Sequence, residues 1–131
     1  MNSKQTGILG EKIASEYLKS KGYEILGKNY IPKFVSGPKR GEIDIIAKKD
    51  DVIVFVEVKA LVVDNQNSAP LISPEEKVNF QKQRKIIKTA QDWLMEKKVY
   101  FNSKWQIDVV SIRINKNTNK AKIQHFQNAV F

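Results

Sequence analysis

Two strand-like segments, Glu42–Lys48 and Val52–Lys59, are separated by only three residues, and this spacing constrains the fold more than any other feature. Both segments are rich in β-branched side chains, which is typical of strands. The three residues between them are too few for anything but a hairpin turn. We therefore expect the two strands to be antiparallel neighbours in one sheet.

The expected register of this hairpin places charged side chains together. If Asp50 and Asp51 are the two turn residues, Asp44 lies directly opposite Glu57. Because side chains alternate along a strand, Glu57 and Lys59 share a face, and Asp44 shares it with them.

The two faces of the hairpin differ in composition. The same face carries Ile46, Ile53 and Phe55 towards the turn, so its charged residues lie at the end away from the turn. The opposite face is predicted to be wholly apolar, with Ile43, Ile45, Ala47, Val52, Val54, Val56 and Val58. The strand pair is thus expected to be buried on both sides, where charges are costly unless they are paired or bind a metal.

Helices and further strands surround this hairpin. Helical periodicity predicts an amphipathic helix from about Gly7 to Ser20 and a second helix ending near Lys97. The second helix has Ile86, Ile87, Ala90, Trp93 and Leu94 on its inner face, and its start is signalled by a capping box, Ser73-Pro74-Glu75-Glu76, or by Asn79. Further strands are predicted at Tyr23–Tyr30, Gln106–Asn115 and Ala121–Phe126, with loops at 32–41 and 60–74. The order predicts one α/β domain over residues 1–131, with a mixed sheet and helices packed on it.

Two neighbouring carboxylates favour a divalent cation. Asp44 and Glu57 would repel each other, and their oxygen atoms suit magnesium or manganese. Zinc is disfavoured because the chain has no cysteine and only one histidine, His125, which is expected to be structural or at the surface. The ammonium of Lys59 beside them could orient a water or stabilise phosphate charge. The alternative is a plain ion pair between Glu57 and Lys59.

The net charge of +9 favours a polyanionic partner, chiefly nucleic acid. The basic loop with Lys33, Lys39 and Arg40 could contact phosphates, as could the outer face of the second helix with Arg84, Lys85 and Lys88. The alternative is that these are solvated charged surfaces. No apolar run suggests a signal peptide or a membrane span, so a cytoplasmic location is expected.

Both predicted helices have polar residues on their inner faces near their N-terminal ends. Glu11 lies on the inner side of the first helix, and Lys82 and Gln83 lie on that of the second. We expect them near the charged cluster, although Glu11 could simply complement the helix dipole and the other two could be solvated at a fraying helix end.

These motifs resemble the core of the restriction-endonuclease-like superfamily, often written PD-(D/E)xK. The segments that carry the resemblance are Gly41–Ala47, with Glu42-Ile43-Asp44, and Val54–Lys59, with Glu57-Val58-Lys59. The whole chain is similar to the YraN family of small bacterial proteins, related in fold to archaeal Holliday junction resolvases. Supporting segments are Gly7-x-x-Gly10-Glu11, Lys82-Gln83-Arg84 and Ile107-Asp108-Val109-Val110.

The resemblance implies a core of helix, three strands, helix and strand, and a metal-dependent endonuclease. It implies that Asp44, Glu57 and the carbonyl of Val58 hold Mg²⁺ or Mn²⁺, that Lys59 acts on the nucleophile, and that Glu11 contributes through a water. DNA, branched or junction DNA included, is the implied substrate, and a homodimer is implied because symmetric junction cutting needs two sites. Leu61 and Gln106 stand where the family usually has basic residues.

The sequence leaves three classes of function open. A nuclease would hydrolyse phosphodiester bonds by in-line attack of metal-activated water. A nucleic-acid-binding module would retain the same fold with an idle site. In a structural or interaction protein, Asp44 and Glu57 would merely pair with Lys59 and Lys82. Metal binding separates the third class from the others, and turnover separates the first from the second.

Overall fold

The computed structural model describes residues 1–33, 37, 41–64, 80–98 and 103–129. Within them the chain forms two helices and five strands. In chain order these are α1 (Ser3–Ser20), β1 (Glu24–Tyr30), β2 (Ile43–Lys49), β3 (Val52–Val63), α2 (Phe80–Glu96), β4 (Lys104–Asn115) and β5 (Ala121–Phe126). No helix in these ranges is both long enough and apolar enough to cross a bilayer.

The five strands form one mixed sheet in the order β1-β2-β3-β4-β5. Neighbours are antiparallel except β3 and β4, which run parallel from Val52↔Lys104 to Val63↔Asn115. A parallel connection needs a crossover, and α2 lies within the segment that joins these two strands. The predicted α/β class is confirmed, and the arrangement is consistent with a restriction-endonuclease-like core.

The hairpin turn has the predicted register. Lys49 faces Val52, and the two aspartates between them have φ angles of 50° and 64°. A two-residue turn with positive φ at both positions follows the twist of the strands, and Asp is one of the few side chains that tolerate that backbone. Asp50 and Asp51 therefore close the hairpin that carries the charged residues.

Helix α1 begins four residues earlier than the predicted Gly7, because Asn2 and Gln5 form a capping box. The Asn2 side chain accepts from the Gln5 backbone N–H at 2.8 Å, and the Gln5 side chain accepts from the Asn2 N–H at 3.0 Å. The helix stops as predicted after Ser20, where Gly22 has a φ of +91°.

Strand β3 is four residues longer than predicted. Residues 60–63 were expected to begin a loop, but they pair with β4, and the last pair joins Val63 to Asn115. The prediction was wrong here because a long partner strand supports residues whose own sequence carries no alternating pattern. Asp64 follows the strand, and residues 65–74 of the predicted loop, the capping box and Asn79 lie outside the described residues.

The sheet packs on both faces, as the hairpin pattern predicts. One face contacts α2, whose predicted inner face is confirmed, with Ile86, Ala90 and Trp93 buried against Ile46 and Phe55. The other face contacts α1 through Ala14 and Leu18, which pack on Ile45, Ala47, Val54 and Val56. The hairpin of β2 and β3 therefore lies between α1 and α2.

Candidate metal and phosphate site

The ladder between β2 and β3 ends where the charged residues begin. The last pair is Ile45↔Val56, one short of the predicted pairing of Asp44 with Glu57. Instead, the Val58 backbone N–H donates to Asp44 Oδ2 at 2.8 Å. The Val58 N–H thus bonds to the side chain of Asp44 and not to a backbone carbonyl of β2. This bond lies where β2 and β3 diverge.

This divergence corrects one prediction. Ile43 was expected on the face that α1 covers, but it belongs to the apolar cluster on the α2 side, together with Ile46 and Phe55. Alternation counted from the turn holds only while the ladder is regular, and the ladder ends at Ile45.

Two lysines converge on one buried carboxylate. Glu57 is only 9% exposed. Its Oε1 lies 3.5 Å from Lys59 Nζ, on the same strand, and 3.2 Å from Lys82 Nζ, which comes from α2. The predicted proximity of Glu57 to Lys59 and the inward position of Lys82 are both seen. The hypothesis of simple ion pairing is met for Glu57 and its two lysines.

Asp44 lies in a strongly acidic environment. Burial, together with the charges of Glu57, Glu11 and Glu42, raises the pKa of its carboxyl to about 7, against the hydrogen bond from Val58, which lowers it. One backbone donor thus does not offset burial next to three other carboxylates. A cation placed beside Asp44 would favour the ionised form.

The two lysines perturb each other. Burial lowers the pKa of Lys59, and a hydrogen bond with Lys82 lowers it further, against the charge of Glu57. For Lys82, burial also acts to lower the pKa, but the hydrogen bond with Lys59 and the charge of Glu57 outweigh it, so its pKa is raised. Lys59 is therefore the ammonium of the pair that gives up a proton more readily.

Glu11 approaches the same site from α1. Burial and the charge of Glu42 raise the pKa of Glu11, whereas hydrogen bonds with Asp44 and Asn29 lower it. The close approach depends on Gly10, because a Cβ there would lie 2.6 Å from the Cβ of Ala60. Glu11 is half-buried and lies within electrostatic reach of Asp44, which agrees with its predicted position on the inner side of the helix.

A second glycine admits α2 to the site. A Cβ on Gly41 would collide with Thr89 Oγ1 and would lie 3.2 Å from the Lys85 carbonyl oxygen. The start of β2 therefore touches the helix backbone directly. The sequence placed Gly41 next to the acidic motif, but nothing in it predicts that α2 packs there.

These elements enclose an open cleft of about 420 Å³. Glu42, Gln81 and Lys85 line it although the sequence did not assign them to the site, and Lys85 was expected on the outer helix face. Gln83 is half-buried outside this lining, Arg84 is exposed, and Lys39 and Arg40 lie outside the described residues. The lining residues are Gly41, Glu42, Asp44, Glu57, Gln81, Lys82, Lys85 and Ile86.

The donor set fits a magnesium-type ion better than a metal held by side chains alone. In the described part of the chain, no three His, Cys, Asp or Glu side chains are grouped so that they could hold a metal. Magnesium usually takes one or two carboxylates and completes its shell with water and phosphate oxygens. Asp44 and Glu57 supply that number, and the adjacent Val58 offers a backbone carbonyl.

A separate polar cluster lies towards the other end of α1. His125 Nε2 is 2.7 Å from Asp108 Oδ2, and its Nδ1 is 3.1 Å from the Tyr17 hydroxyl. Asp108 is fully buried and its Oδ1 also accepts from the Gln106 amide and the Asn128 N–H, each at 2.9 Å. His125 is structural, as predicted, but the sequence gave no sign of its partners.

The fold is that of an α/β protein with a five-stranded mixed sheet and two helices in its described residues, consistent with a restriction-endonuclease-like core. The family model described as "Uncharacterised protein family UPF0102" matches residues 10–112. A UPF0102 protein of Clostridium botulinum strain 657 is 38% identical over 127 residues, covering 97% of this chain and 94% of the relative. One of Alkaliphilus oremlandii is also 38% identical, covering 97% and 98%.

The chain belongs to the UPF0102 family, which is the YraN family that its motifs resemble. The matched residues include Glu11, Asp44, Glu57, Lys59 and Lys82. The matched span therefore contains these five charged residues and the charged residues that line the cleft.

Proposed function

We propose that this protein is a metal-dependent nuclease that hydrolyses phosphodiester bonds in DNA. The observation that carries the proposal is that Asp44 and Glu57 both line one cleft, where burial and the charge of Glu57 contribute to raising the pKa of Asp44 to about 7. A divalent cation is the ligand that offsets this cost. The resemblance to nucleases adds the substrate class.

The residues of the site would have different roles in hydrolysis. A bound Mg²⁺ or Mn²⁺ would supply Lewis-acid stabilisation of the phosphate and a water of lowered pKa. Asp44 and Glu57 would hold the ion, with the Val58 carbonyl. Lys59, whose pKa is lowered by burial and by Lys82, would orient the attacking water and take up its proton.

Glu11 and the basic residues would act around this centre. Glu11, hydrogen-bonded to Asp44, would hold a water on the α1 side of the ion. Lys82 and Lys85 line the cleft and would contact phosphate oxygens of the DNA. Further contacts with the sugar-phosphate backbone of the DNA would come from Lys39, Arg40, Gln83 and Arg84. The surplus of positive charge would make binding strongly dependent on salt.

The second candidate function is binding of nucleic acid without cleavage. It is favoured by the ion pairs of Glu57 with Lys59 and Lys82, since these already balance one carboxylate in the absence of metal. Such a protein would hold branched DNA through phosphate contacts. In either case we propose a homodimer for a junction substrate, which light scattering with and without DNA would measure.

The test is cleavage of a panel of single-stranded, duplex, nicked, flap and four-way junction DNA, with matched RNA, in Mg²⁺ or Mn²⁺. Wild type is run beside Glu57→Gln and Asp44→Asn, with Glu16→Gln as a control that neutralises an exposed carboxylate on α1. We expect metal-dependent cutting by wild type and the control only. Retention of a branched species by all variants without cutting would favour the binding function, and cutting that survives in all variants would contradict the site.

A further inference from the structure

Glu57 forms an ion pair with Lys82 as well as with Lys59, the lysine of the Glu-x-Lys motif. Lys82 Nζ, from α2, lies closer to Glu57 Oε1 than Lys59 Nζ does, at 3.2 Å against 3.5 Å. The Glu57 side chain is only 10% exposed, so its charge is kept in a poorly solvated position. The extra ammonium therefore stabilises Glu57 when no other cation is near.

Lys82 and a divalent cation would compete for the same carboxylate. A magnesium ion binds carboxylate oxygens at about 2.1 Å. The Lys82 ammonium, at hydrogen-bond distance from Oε1, would then lie within a few ångströms of the doubly charged ion. Repulsion between the two cations is strong in a partly buried site. The two cations would therefore compete for Glu57, most strongly for Oε1, which Lys82 contacts in this structure.

Lys82 is the lysine able to leave. Lys59 is fixed to β3, two residues from Glu57 on the same face, so its ammonium starts close to the carboxylate whatever else binds. Lys82 is the third residue of α2, its side chain is 40% exposed against 31% for Lys59, and it lines the open cleft. A long side chain in that position can turn from Glu57 into the cleft without moving the helix.

We propose that Lys82 is a place-holder for the metal ion. It occupies Glu57 in the metal-free protein and is displaced when a divalent cation binds. The displaced ammonium then faces the cleft, where it can take a phosphate oxygen. The inference rests on the proposed function, because it assumes that Asp44 and Glu57 hold a metal.

A place-holder has a signature that an ordinary structural ion pair or phosphate contact lacks. Removing Lys82 should tighten metal binding, because the ion no longer displaces a bound ammonium. The same change should weaken DNA binding, because a phosphate contact is lost. A lysine that only contacts DNA would leave metal affinity almost unchanged.

The experiment is a titration with Mn²⁺ at low ionic strength in the absence of nucleic acid, with free ion measured by electron paramagnetic resonance. Lys82→Met is compared with wild type and with Lys88→Met, which removes the same charge from the same helix where Lys88 pairs with Asp92. We expect roughly tenfold tighter binding in Lys82→Met and less than about twofold change in Lys88→Met. Lys82→Arg, which keeps the charge, should bind within about twofold of wild type.

The outcomes distinguish a failure of the place-holder role of Lys82 from a failure of the proposed metal site. If wild type binds Mn²⁺ and Lys82→Met binds no more tightly than Lys88→Met, Lys82 is not a place-holder, whereas the metal site stands. If wild type binds no Mn²⁺ and neither lysine variant does, or if binding is unchanged in Asp44→Asn, the proposed metal function fails together with the inference. Thermal unfolding of each variant identifies any that is not folded, and if Lys82→Met is not folded, Lys82→Gln, which also removes the charge, replaces it in the titration.

Discussion

Two buried polar clusters lie on this sheet, and they are satisfied to very different degrees. Asp108 accepts hydrogen bonds from the Gln106 amide, the Asn128 N–H and His125. Among the residues that the structure describes, Asp44 accepts one hydrogen bond, from the Val58 N–H, and lies within electrostatic reach of another acidic side chain, Glu11. The first arrangement stabilises the fold by itself, whereas the second is costly unless a cation lies beside it.

The comparison separates a structural role from a functional one. A fully bonded buried carboxylate can be replaced only at the expense of folding. A crowded carboxylate with a pKa raised to about 7 can be replaced with little loss of stability, or with a gain. Variants in the two clusters should therefore affect stability and activity in opposite proportions.

The largest expected effect is on cleavage. Glu57→Gln keeps the size of the side chain but removes the charge that would hold the metal, so turnover of the best DNA substrate should fall at least about a hundredfold. The measurement is single-turnover cleavage in Mg²⁺. In His125→Gln, with the folded fraction verified by circular dichroism, turnover should stay within about fivefold of wild type. Equal losses in both variants would contradict the distinction between the clusters.

The next effect is on stability. Asp108→Ala leaves three donors without their buried acceptor, and we expect it to lower the free energy of unfolding by about 3 kcal/mol. Urea denaturation followed by tryptophan fluorescence measures this change. Asp44→Asn, measured in the same way without metal at pH 4, where Asp44 is protonated in wild type, should lose less than about 1 kcal/mol, because an amide oxygen can still accept from Val58.

A smaller effect should appear in the pH dependence of stability. The folded pKa of Asp44 is about 7, above its unfolded value of about 4, so wild type binds this proton more tightly when folded. Its contribution to stability is therefore complete below pH 4 and is lost as the pH rises to about 7. Without metal, Asp44→Asn should be more stable than wild type at pH 8, and the difference should decrease as the pH falls and vanish near pH 4.

This pH difference should also respond to metal. Saturating Mg²⁺ should raise the thermal midpoint of wild type at pH 8 and leave Asp44→Asn almost unchanged. Differential scanning fluorimetry at pH 5 and pH 8 is sufficient to observe both trends. A difference between the two proteins that does not vary with pH would show that burial and neighbouring carboxylates do not control Asp44.

The smallest effect concerns Leu61, which is 42% exposed on β3 just beyond the site. Leu61→Lys introduces the basic residue usual in the family and should tighten DNA binding by about twofold to fivefold, with a steeper salt dependence. Fluorescence anisotropy with a labelled junction measures it. No change at any salt concentration would place DNA away from this end of β3.

The parts of the structure that sequence predicted depend on local spacing. The short turn at Asp50 and Asp51 fixes the register, and the register brings Asp44, Glu57 and Lys59 to one end of the hairpin. Helical periodicity similarly predicted the buried residues of α2 and the inward position of Lys82. These features need only neighbours in the chain, so the pattern was sufficient.

The features that were missed depend on contacts between distant residues. Residues 60–63 continue β3 only because β4 pairs with them, and Ile43 changes face only because the ladder ends at Ile45. The contacts of His125 with Asp108 and Tyr17 join three separate elements. The DNA contacts of Lys39 and Arg40, the homodimer and the cytoplasmic location stay predictions.

The central claim, that Asp44 and Glu57 hold a divalent cation, is tested most directly by a crystal structure of the protein with Mn²⁺, using anomalous diffraction. The account predicts an anomalous peak about 2.1 Å from a carboxylate oxygen of each residue and from the Val58 carbonyl oxygen. The Lys82 ammonium should have moved away from Glu57. A structure in saturating Mn²⁺ with no peak there, and with Lys82 still bound to Glu57, would contradict the account.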